Sequence, residues 1–257
     1  MRGRKWSREE LLIAFNYYCC TAFGRLHSKN PEIVELAQVL DRSPGAVAMK
    51  LCNFASFDPA HRKRDVKGLG HVSLQDKRIW DEFNQNWEQL AFESEQAVER
   101  ITGKPREASA YVSDYVLPSG PTEKERVVRT RIVQHFFRQA VLTSYQYTCA
   151  VCGLTVPEML CASHIVPWAA SIERRADPTN GLALCSFHHR AFDRGLITVD
   201  SKLRIVVTSR LIIYSPCDMY KAGFASVNGE SLILPLRFLP DLSALEYHRT
   251  HIYKGGI

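Results

Sequence analysis

The sequence predicts an α+β protein with a helical amino-terminal domain and a carboxy-terminal domain of short strands and helices. Residues 8–100 contain successive stretches with apolar side chains at helical spacing. Two short alternating runs, "GLITVD" and "LRIVVTSR", follow residue 194 and predict a β-hairpin. Three prolines among residues 101–121 indicate a linker. We therefore expect domains at residues 1–100 and 122–257, joined by that linker.

The first helix is predicted by an N-terminal signature. Ser7 is followed three positions later by Glu10, a spacing typical of a capping box, and the apolar run "ELLIAFNYYCCTAF" comes next. Pro31 lies near the first turn of a second helix. Ser43 and Pro44 are suited to the N-cap and first position of a third.

The second and third helices, joined by a tight turn, resemble a helix-turn-helix. The spacing predicts that the third helix buries Val47, Leu51 and Phe54. It also predicts that Lys50 and Asn53 point outward, toward DNA. Two packed helices with no nucleic acid partner fit this stretch equally well.

A basic segment, "HRKRDVKGLGH", follows these helices and is suited to phosphate contacts, although such runs are also common on solvated surfaces. Its basic residues are Arg62, Lys63, Arg64 and Lys67. Residues 1–78 carry 14 Lys and Arg against 8 Asp and Glu, whereas residues 79–99 carry six acids and no Lys or Arg. We expect a positive DNA-facing surface and a negative surface behind it.

The later elements are a long helix within "TEKERVVRTRIVQHFFRQAVLTSYQ" and, in the tail "SLILPLRFLPDLSALEYHRTHIYKG", a strand and a final helix. The tryptophans of residues 79–90 fall on an apolar stripe that is more typical of a core than of a base-stacking surface.

Composition narrows the functional class. A net charge of +6 is compatible with a polyanionic partner. The amino terminus lacks a signal-peptide pattern and no apolar run reaches the length of a membrane span, so a cytoplasmic location without a membrane partner is expected. In such a chain, eight cysteines favour free thiols or metal ligands over disulfides.

Two Cys/His pairs predict a structural zinc site. Cys149 and Cys152 form a Cys-x-x-Cys-Gly turn, and Cys185 and His188 form a Cys-x-x-His pair further along the chain. Buried thiols with a surface imidazole are the alternative. Cys161 is a possible substitute ligand but lies alone in an apolar stretch.

Neighbouring histidines in "LALCSFHHRAFDRG" occupy different helix faces. Cys185 and His188 are three residues apart and share one face, whereas His189 and Asp193 are four apart and share another. Gly195 is placed to end the helix. One short helix is therefore expected to serve two sites.

Together these motifs resemble the HNH nuclease domain. The series runs from Cys-x-x-Cys through Ser-His-Ile-Val-Pro-Trp to Asn-Gly-Leu-Ala-Leu-Cys-x-x-His-His-x-x-Phe-Asp-x-Gly. It is most similar to the subgroup in bacterial restriction-type endonucleases, and the resemblance covers residues 125–250. It implies a ββα-metal fold braced by zinc. The amino-terminal region resembles the helical part attached to some of these nucleases much less specifically.

The resemblance also implies residue roles. His164 matches the general base that deprotonates water, and Asn180 matches the residue that pins the loop and orients that base. His189 matches the ligand of the catalytic divalent cation, Mg²⁺ or Mn²⁺, with Asp193 one turn away to join it. Many relatives carry Asp before the catalytic histidine, but this chain has Ser163, which makes Asp193 more necessary.

The resemblance implies a metal-dependent DNA endonuclease of restriction type. Its substrate would be double-stranded DNA, and a homodimer would supply one active site for each strand. Arg190 and Arg194 flank the site and are candidates to clamp phosphate, or are simply solvated charges. A non-catalytic zinc-stabilised DNA-binding protein and a low-specificity HNH defence or toxin nuclease are the alternatives.

Overall fold

A computed structural model describes residues 4–63, 72–103 and 121–255, with side chains in the last stretch described from residue 127 onward. The described amino-terminal residues are helical, as the sequence predicts. The helices are α1 (Arg8–Cys20), α2 (Pro31–Val39), α3 (Pro44–Ala55), α4 (Pro59–Lys63), α5 (Leu74–Gln85) and α6 (Trp87–Thr102). None of the described helices is long and apolar enough to cross a membrane.

The predicted helix starts are confirmed. The backbone N–H of Glu10 donates to Ser7 Oγ, and Glu10 Oε2 accepts from the Ser7 backbone N–H at 2.7 Å, which completes the capping box. Ser43 is the N-cap of α3, and Pro44 follows at its first position. Helix α2 ends at Val39, so only a short turn separates it from α3.

The amino-terminal helices enclose an aromatic core. The Phe15 ring is fully buried and lies 5.0 Å from Phe54 and 4.2 Å from Phe83, measured between centroids. Trp87 is also buried here, as the sequence predicts. Edge-to-face and tilted ring pairs of this kind add to the burial of apolar area.

The prediction that Lys50 and Asn53 face DNA is wrong. Both side chains are buried against helix α5, where Lys50 Nζ lies 2.7 Å from Asp76 Oδ1 and Asn53 Nδ2 donates to Asp76 Oδ2 at 3.0 Å. Asp76 itself is fully buried, so it needs these partners. The three residues predicted to be buried on α3, namely Val47, Leu51 and Phe54, are buried.

The carboxy-terminal part contains two antiparallel hairpins and a ββα unit. Its elements are α7 (Pro121–Ser144), β1 (Leu160–His164), β2 (Gly181–Cys185), α8 (Ser186–Asp193), β3 (Ile197–Val199), β4 (Ile205–Val207), α9 (Asp218–Tyr220) and α10 (Leu242–His251). Strand β1 pairs with β2, with Leu160 opposite Cys185 and His164 opposite Gly181. Strands β3 and β4 form the hairpin predicted from their alternation.

The tail has the predicted final helix, α10, but not the predicted strand. Within the described tail, ladder pairing is limited to one bridge between Arg204 and Ser231. The backbone N–H of Ile233 instead bonds the Ala150 carbonyl, and that of Leu236 bonds the Ser144 carbonyl. The apolar tail therefore covers the turn that carries Cys149 and Cys152, and the end of α7, instead of extending a sheet.

Helix α7 belongs to both apolar cores. Its Val133 and Phe136 are buried with the amino-terminal helices, whereas Phe137 and Val141 are buried with the strands. Gly181 of β2 packs so closely against α7 that a Cβ there would lie 2.3 Å from Val141 Cγ2. The ββα unit is thus mounted on a helix that also completes the amino-terminal bundle.

A buried arginine makes a second connection between the two parts. The Arg237 side chain is fully buried and donates to the backbone carbonyls of Tyr18 and Cys19, near the end of α1. The next residue, Phe238, donates its backbone N–H to Asp58 Oδ2 at 3.1 Å.

Candidate active site

The turn after α7 and the start of α8 bring the four predicted metal ligands together. The ligand atoms of Cys149, Cys152, Cys185 and His188 all lie within 4.8 Å of one another. The Cys152 and Cys185 sulfurs are 3.9 Å apart, and Cys149 Sγ is 3.8 Å from His188 Nδ1. Ligand atoms on a tetrahedral zinc ion are separated by about 3.5 to 3.8 Å, so this donor set fits such an ion.

The turn at Gly153 and a hydrogen bond from His188 orient the ligand atoms of this cluster. Gly153 has φ of +73°, a conformation that favours glycine, and its N–H donates to the Cys149 carbonyl to close the turn. His188 Nε2 donates to the Gly223 carbonyl at 2.8 Å, which leaves Nδ1 unprotonated and facing the sulfurs. A hydrogen bond from Cys185 holds the pKa of the Cys149 thiol well below its usual range, so a thiolate is favoured there.

His164 lies at the end of β1 and is held on three sides. Its ring stacks on Phe137 of α7 at 3.8 Å, and the Trp168 ring meets it edge-on at 5.6 Å. Its Nε2 lies 2.9 Å from the backbone carbonyl of Arg175. Because a carbonyl only accepts, Nε2 carries the proton and Nδ1 keeps its lone pair.

The surroundings keep the His164 ring neutral. Burial lowers its pKa to about 4, and the nearby charges of His189 and Arg175 act in the same direction. The ring is therefore neutral at pH 7, with an unprotonated Nδ1 that is available to accept a proton, and it is a weaker base than a histidine in water.

Asn180 closes the long loop between β1 and β2. The side chain is fully buried, and its Oδ1 accepts from the Val166 N–H at 2.8 Å. Its Nδ2 donates to the carbonyls of Val166 and Arg174, each at 3.1 Å. Asn180 therefore fixes the backbone on both sides of the loop that carries the His164 partner carbonyl.

His189 and Asp193 occupy one face of α8, the face away from the cysteine cluster. His189 Nε2 lies 3.5 Å from Asp193 Oδ2, and Ser163 Oγ donates to Asp193 Oδ1 at 3.3 Å. Two ligand atoms bound to one small divalent cation are about 3 to 3.5 Å apart, so these side chains fit a shared ion. The described residues supply only this imidazole and carboxylate there, so water or phosphate oxygens would complete its coordination.

The predicted DNA contacts are scattered over the described surface. Arg190 is exposed on α8 and Arg194 is exposed at its C-cap, each next in sequence to one member of the His189–Asp193 pair. Arg62 and Lys63 are exposed at the end of α4, where Arg62 Nε donates to the Ser56 carbonyl. Two further candidates, Arg64 and Lys67, lie outside the described residues, and Lys50 and Asn53 are buried in the core, as described above.

Three residues around His164 were not expected from the sequence. Phe137, Trp168 and Arg175 come from a distant helix and from the β1–β2 loop, and each acts on the imidazole through a ring face or a backbone carbonyl. Local spacing carries no signal for such contacts. Trp168 follows the Ser-His-Ile-Val-Pro run and so marked the loop as part of the motif, but its contact with the His164 ring was not predicted.

Comparison with known proteins agrees with this geometry. Residues 149–200 match the family model described as HNH endonuclease. No curated protein matches the chain significantly. A solved structure described as "Modification dependent TagI restriction endonuclease" matches with 23% identity and a TM-score of 0.30, over 45% of this chain and 37% of that one. The chain thus aligns with little more than a third of that protein's length. Residues 149–200, which include the ββα unit, thus match the HNH endonuclease family.

Proposed function

We propose that the protein is a metal-dependent DNA endonuclease of restriction type. One observation carries the proposal: the ββα unit combines a neutral, carbonyl-held His164 with a His189–Asp193 pair on α8, and Ser163, the residue before His164, donates to that Asp193. Binding of a structural metal alone requires neither feature. A second, separate donor set therefore favours hydrolysis over a purely structural role.

In this proposal His164 is the general base. Its Nδ1 takes a proton from the attacking water, while the Arg175 carbonyl keeps Nε2–H in place. Asn180 maintains the loop that carries this carbonyl. The fixed orientation matters because a base must lie within hydrogen-bond reach of the water it activates.

His189 and Asp193 would hold the catalytic cation, Mg²⁺ or Mn²⁺. When bound, such an ion stabilises negative charge on the phosphate and on the leaving oxygen. Ser163, where many relatives carry Asp, contributes instead by donating a hydrogen bond to Asp193. Zn²⁺ would occupy the cluster of Cys149, Cys152, Cys185 and His188 and brace the start of α8.

The proposed substrate is double-stranded DNA in the cytoplasm. The exposed Arg190 and Arg194 are placed to contact phosphates close to the catalytic face. The exposed Arg62 and Lys63 would add phosphate contacts from the amino-terminal domain, residues 1–100. A homodimer would cut both strands, with one active site acting on each.

Cleavage of plasmid DNA by the full chain tests this proposal. Under single-turnover conditions with Mg²⁺ or Mn²⁺, we expect His164→Ala to reduce the cleavage rate by roughly 10²- to 10⁴-fold. The exposed His251 provides a control, His251→Ala, that should retain the wild-type rate. Binding without cleavage by the wild-type protein would instead favour a zinc-stabilised DNA-binding protein. A smear in place of discrete fragments would favour a low-specificity defence or toxin nuclease.

A further inference from the structure

We infer that the amino-terminal helical domain positions the catalytic base through an ion pair between Glu88 and Arg175. This inference rests on the proposed function, because it assigns His164 the role of base. Arg175 and Glu88 act as positioning residues, because Glu88 acts through Arg175 and Arg175 acts through its backbone carbonyl. Between them they connect helix α6 to the imidazole.

The first link is the backbone of Arg175. Its carbonyl accepts from His164 Nε2 at 2.9 Å, so its position sets both the tautomer and the direction of the ring. Arg175 lies in the long loop between β1 and β2, where its own N–H donates to the Ile172 carbonyl. A carbonyl in an irregular loop needs support from side chains to stay in one place.

The second link is the Arg175 side chain. Its Nε donates to the Trp168 carbonyl at 3.0 Å, and its guanidinium lies 4.9 Å from the centre of the Trp168 ring. The same ring meets His164 edge-on. The guanidinium therefore supports both the Trp168 ring and the Arg175 backbone, and each of these contacts His164. Trp168 also packs against the core of the amino-terminal helices.

The third link comes from the other domain. Glu88, in the first turn of α6, has Oε2 at 3.8 Å from Arg175 Nη1 and Oε1 at 3.8 Å from Arg129 Nε. Its side chain is only 18% exposed, and Oε2 has no hydrogen-bond partner among the described residues. A carboxylate in this position is stabilised by the two guanidinium groups, so it holds them in turn.

Arg129 is itself fixed, so Glu88 has a rigid support. Arg129 Nη2 donates to Gln89 Oε1 at 2.7 Å, and its guanidinium lies 4.7 Å from the Phe92 ring centre. The connection therefore runs from α6 and α7 through Glu88 to Arg175 and then to His164. Any movement of α6 relative to the ββα unit would change the position of the Arg175 carbonyl.

Glu88→Gln in the full-length protein tests this connection, because it removes the charge and keeps the shape. We expect the single-turnover cleavage rate to fall by roughly ten- to a hundredfold, with Kd for DNA changed less than about twofold. Arg175→Gln should give a similar loss, and the double variant should lose little more than either single one. Glu82→Gln is the matched control, since Glu82 pairs with Arg8 on the outside of the bundle.

A readout without cleavage separates this inference from the proposed function. In protein labelled with ¹⁵N-histidine, the His164 Nε2–H held by the Arg175 carbonyl should exchange slowly with water, and His164→Ala assigns its signal. We expect Glu88→Gln, but not Glu82→Gln, to accelerate this exchange at least about tenfold. If the wild-type protein proves unable to cleave DNA, this measurement still decides whether Glu88 orders the histidine.

Two results would overturn the inference. One is that Glu88→Gln cleaves DNA, and exchanges its His164 Nε2–H, at the same rates as the wild-type protein. The other is an equal fold-loss when Glu88→Gln is added to His164→Ala, because a residue that acts through His164 has nothing further to act on once that ring is gone.

Discussion

At the scale of single residues, His164 and His248 show how similar packing serves different roles. His248 is fully buried and His164 is partly buried, yet each ring stacks on a phenylalanine and donates Nε2–H to a backbone carbonyl. In His248 the other nitrogen, Nδ1, accepts from Thr198 Oγ1 at 2.9 Å, so the ring is fully bonded and structural. His164 has no such bond at Nδ1 within the described residues, and this difference makes it the candidate base.

Both histidines make stability depend on pH. Burial lowers each pKa to about 4, whereas a histidine in the unfolded chain titrates near 6.5. Above pH 6.5 neither state is protonated. Between about 6.5 and 4 the unfolded chain binds protons that the native protein does not, so the free energy of unfolding falls as pH falls, by about 3 kcal/mol for each ring.

Denaturant unfolding at pH 7.0, 5.5 and 4.5 measures this effect. We expect His248→Gln to be less stable than wild type at pH 7 but to lose less stability on acidification. His27→Gln, at an exposed position, should follow the wild-type curve. Parallel pH curves for all three proteins would contradict the assignment of His248 as a buried neutral ring.

The buried ion pair between Lys50 and Asp76 should contribute strongly to the stability of the protein. Lys50→Met leaves the fully buried Asp76 with Asn53 as its remaining side-chain partner, so we expect a loss of about 3 to 5 kcal/mol. Lys77→Met removes an exposed i,i+4 pair with Asp81 and should cost less than about 1 kcal/mol. Denaturant titration measures both. A large loss of DNA affinity in folded Lys50→Met would restore the role first predicted for this residue.

At the scale of elements, local chemistry was readable and distant contacts were not. The caps at Ser7 and Ser43, the β3–β4 hairpin and the long helix α7 all followed from short patterns. Helical spacing placed Lys50 and Asn53 outside because it contains no information about Asp76 on α5, which covers that side of α3.

The candidate site was also predictable from local patterns, but only where its residues are close in sequence or belong to a motif. The cysteine cluster and the shared α8 face required only known ligand spacing and the 3.6-residue period. The tail strand failed because its backbone groups bond to the Ala150 and Ser144 carbonyls, far away in the chain. The Glu88–Arg175 contact joins residues that are far apart in the chain and has no local signal at all.

The cysteine cluster leads to an expectation about the ββα element. Purified protein should contain about one zinc per chain, and Cys152→Ser should lose that metal together with several kcal/mol of stability. Cys161→Ser is the control, because Cys161 lies half-buried on β1 outside the cluster. Metal analysis combined with thermal unfolding in a chelator measures both. Protein that is free of zinc and indifferent to chelators would remove the structural site.

At the scale of the whole molecule, the shared helix α7 makes the two cores interdependent. A fragment of residues 122–257 would expose Val133 and Phe136, and Arg237 would lose its acceptors on α1. We expect such a fragment to be less stable than the full chain by several kcal/mol and prone to aggregate.

Solubility and thermal unfolding of this fragment test the expectation. Adding Val133→Ser and Phe136→Gln should improve the solubility of the fragment but destabilise the full chain, because the same surface is exposed in one and buried in the other. A fragment that melts like the full protein would show that residues 122–257 form an independent domain.

The Arg237 contact also determines when the protein can finish folding during synthesis. Tyr18 and Cys19 are made early, but the guanidinium that binds their carbonyls arrives more than two hundred residues later. While the ribosome is still translating, the end of α1 therefore stays hydrated and its surroundings stay open. Only after residues 237 and 238 have emerged can Arg237 and Phe238 enter this space. A translation product that ends before residue 237 therefore lacks the donors to the Tyr18 and Cys19 carbonyls.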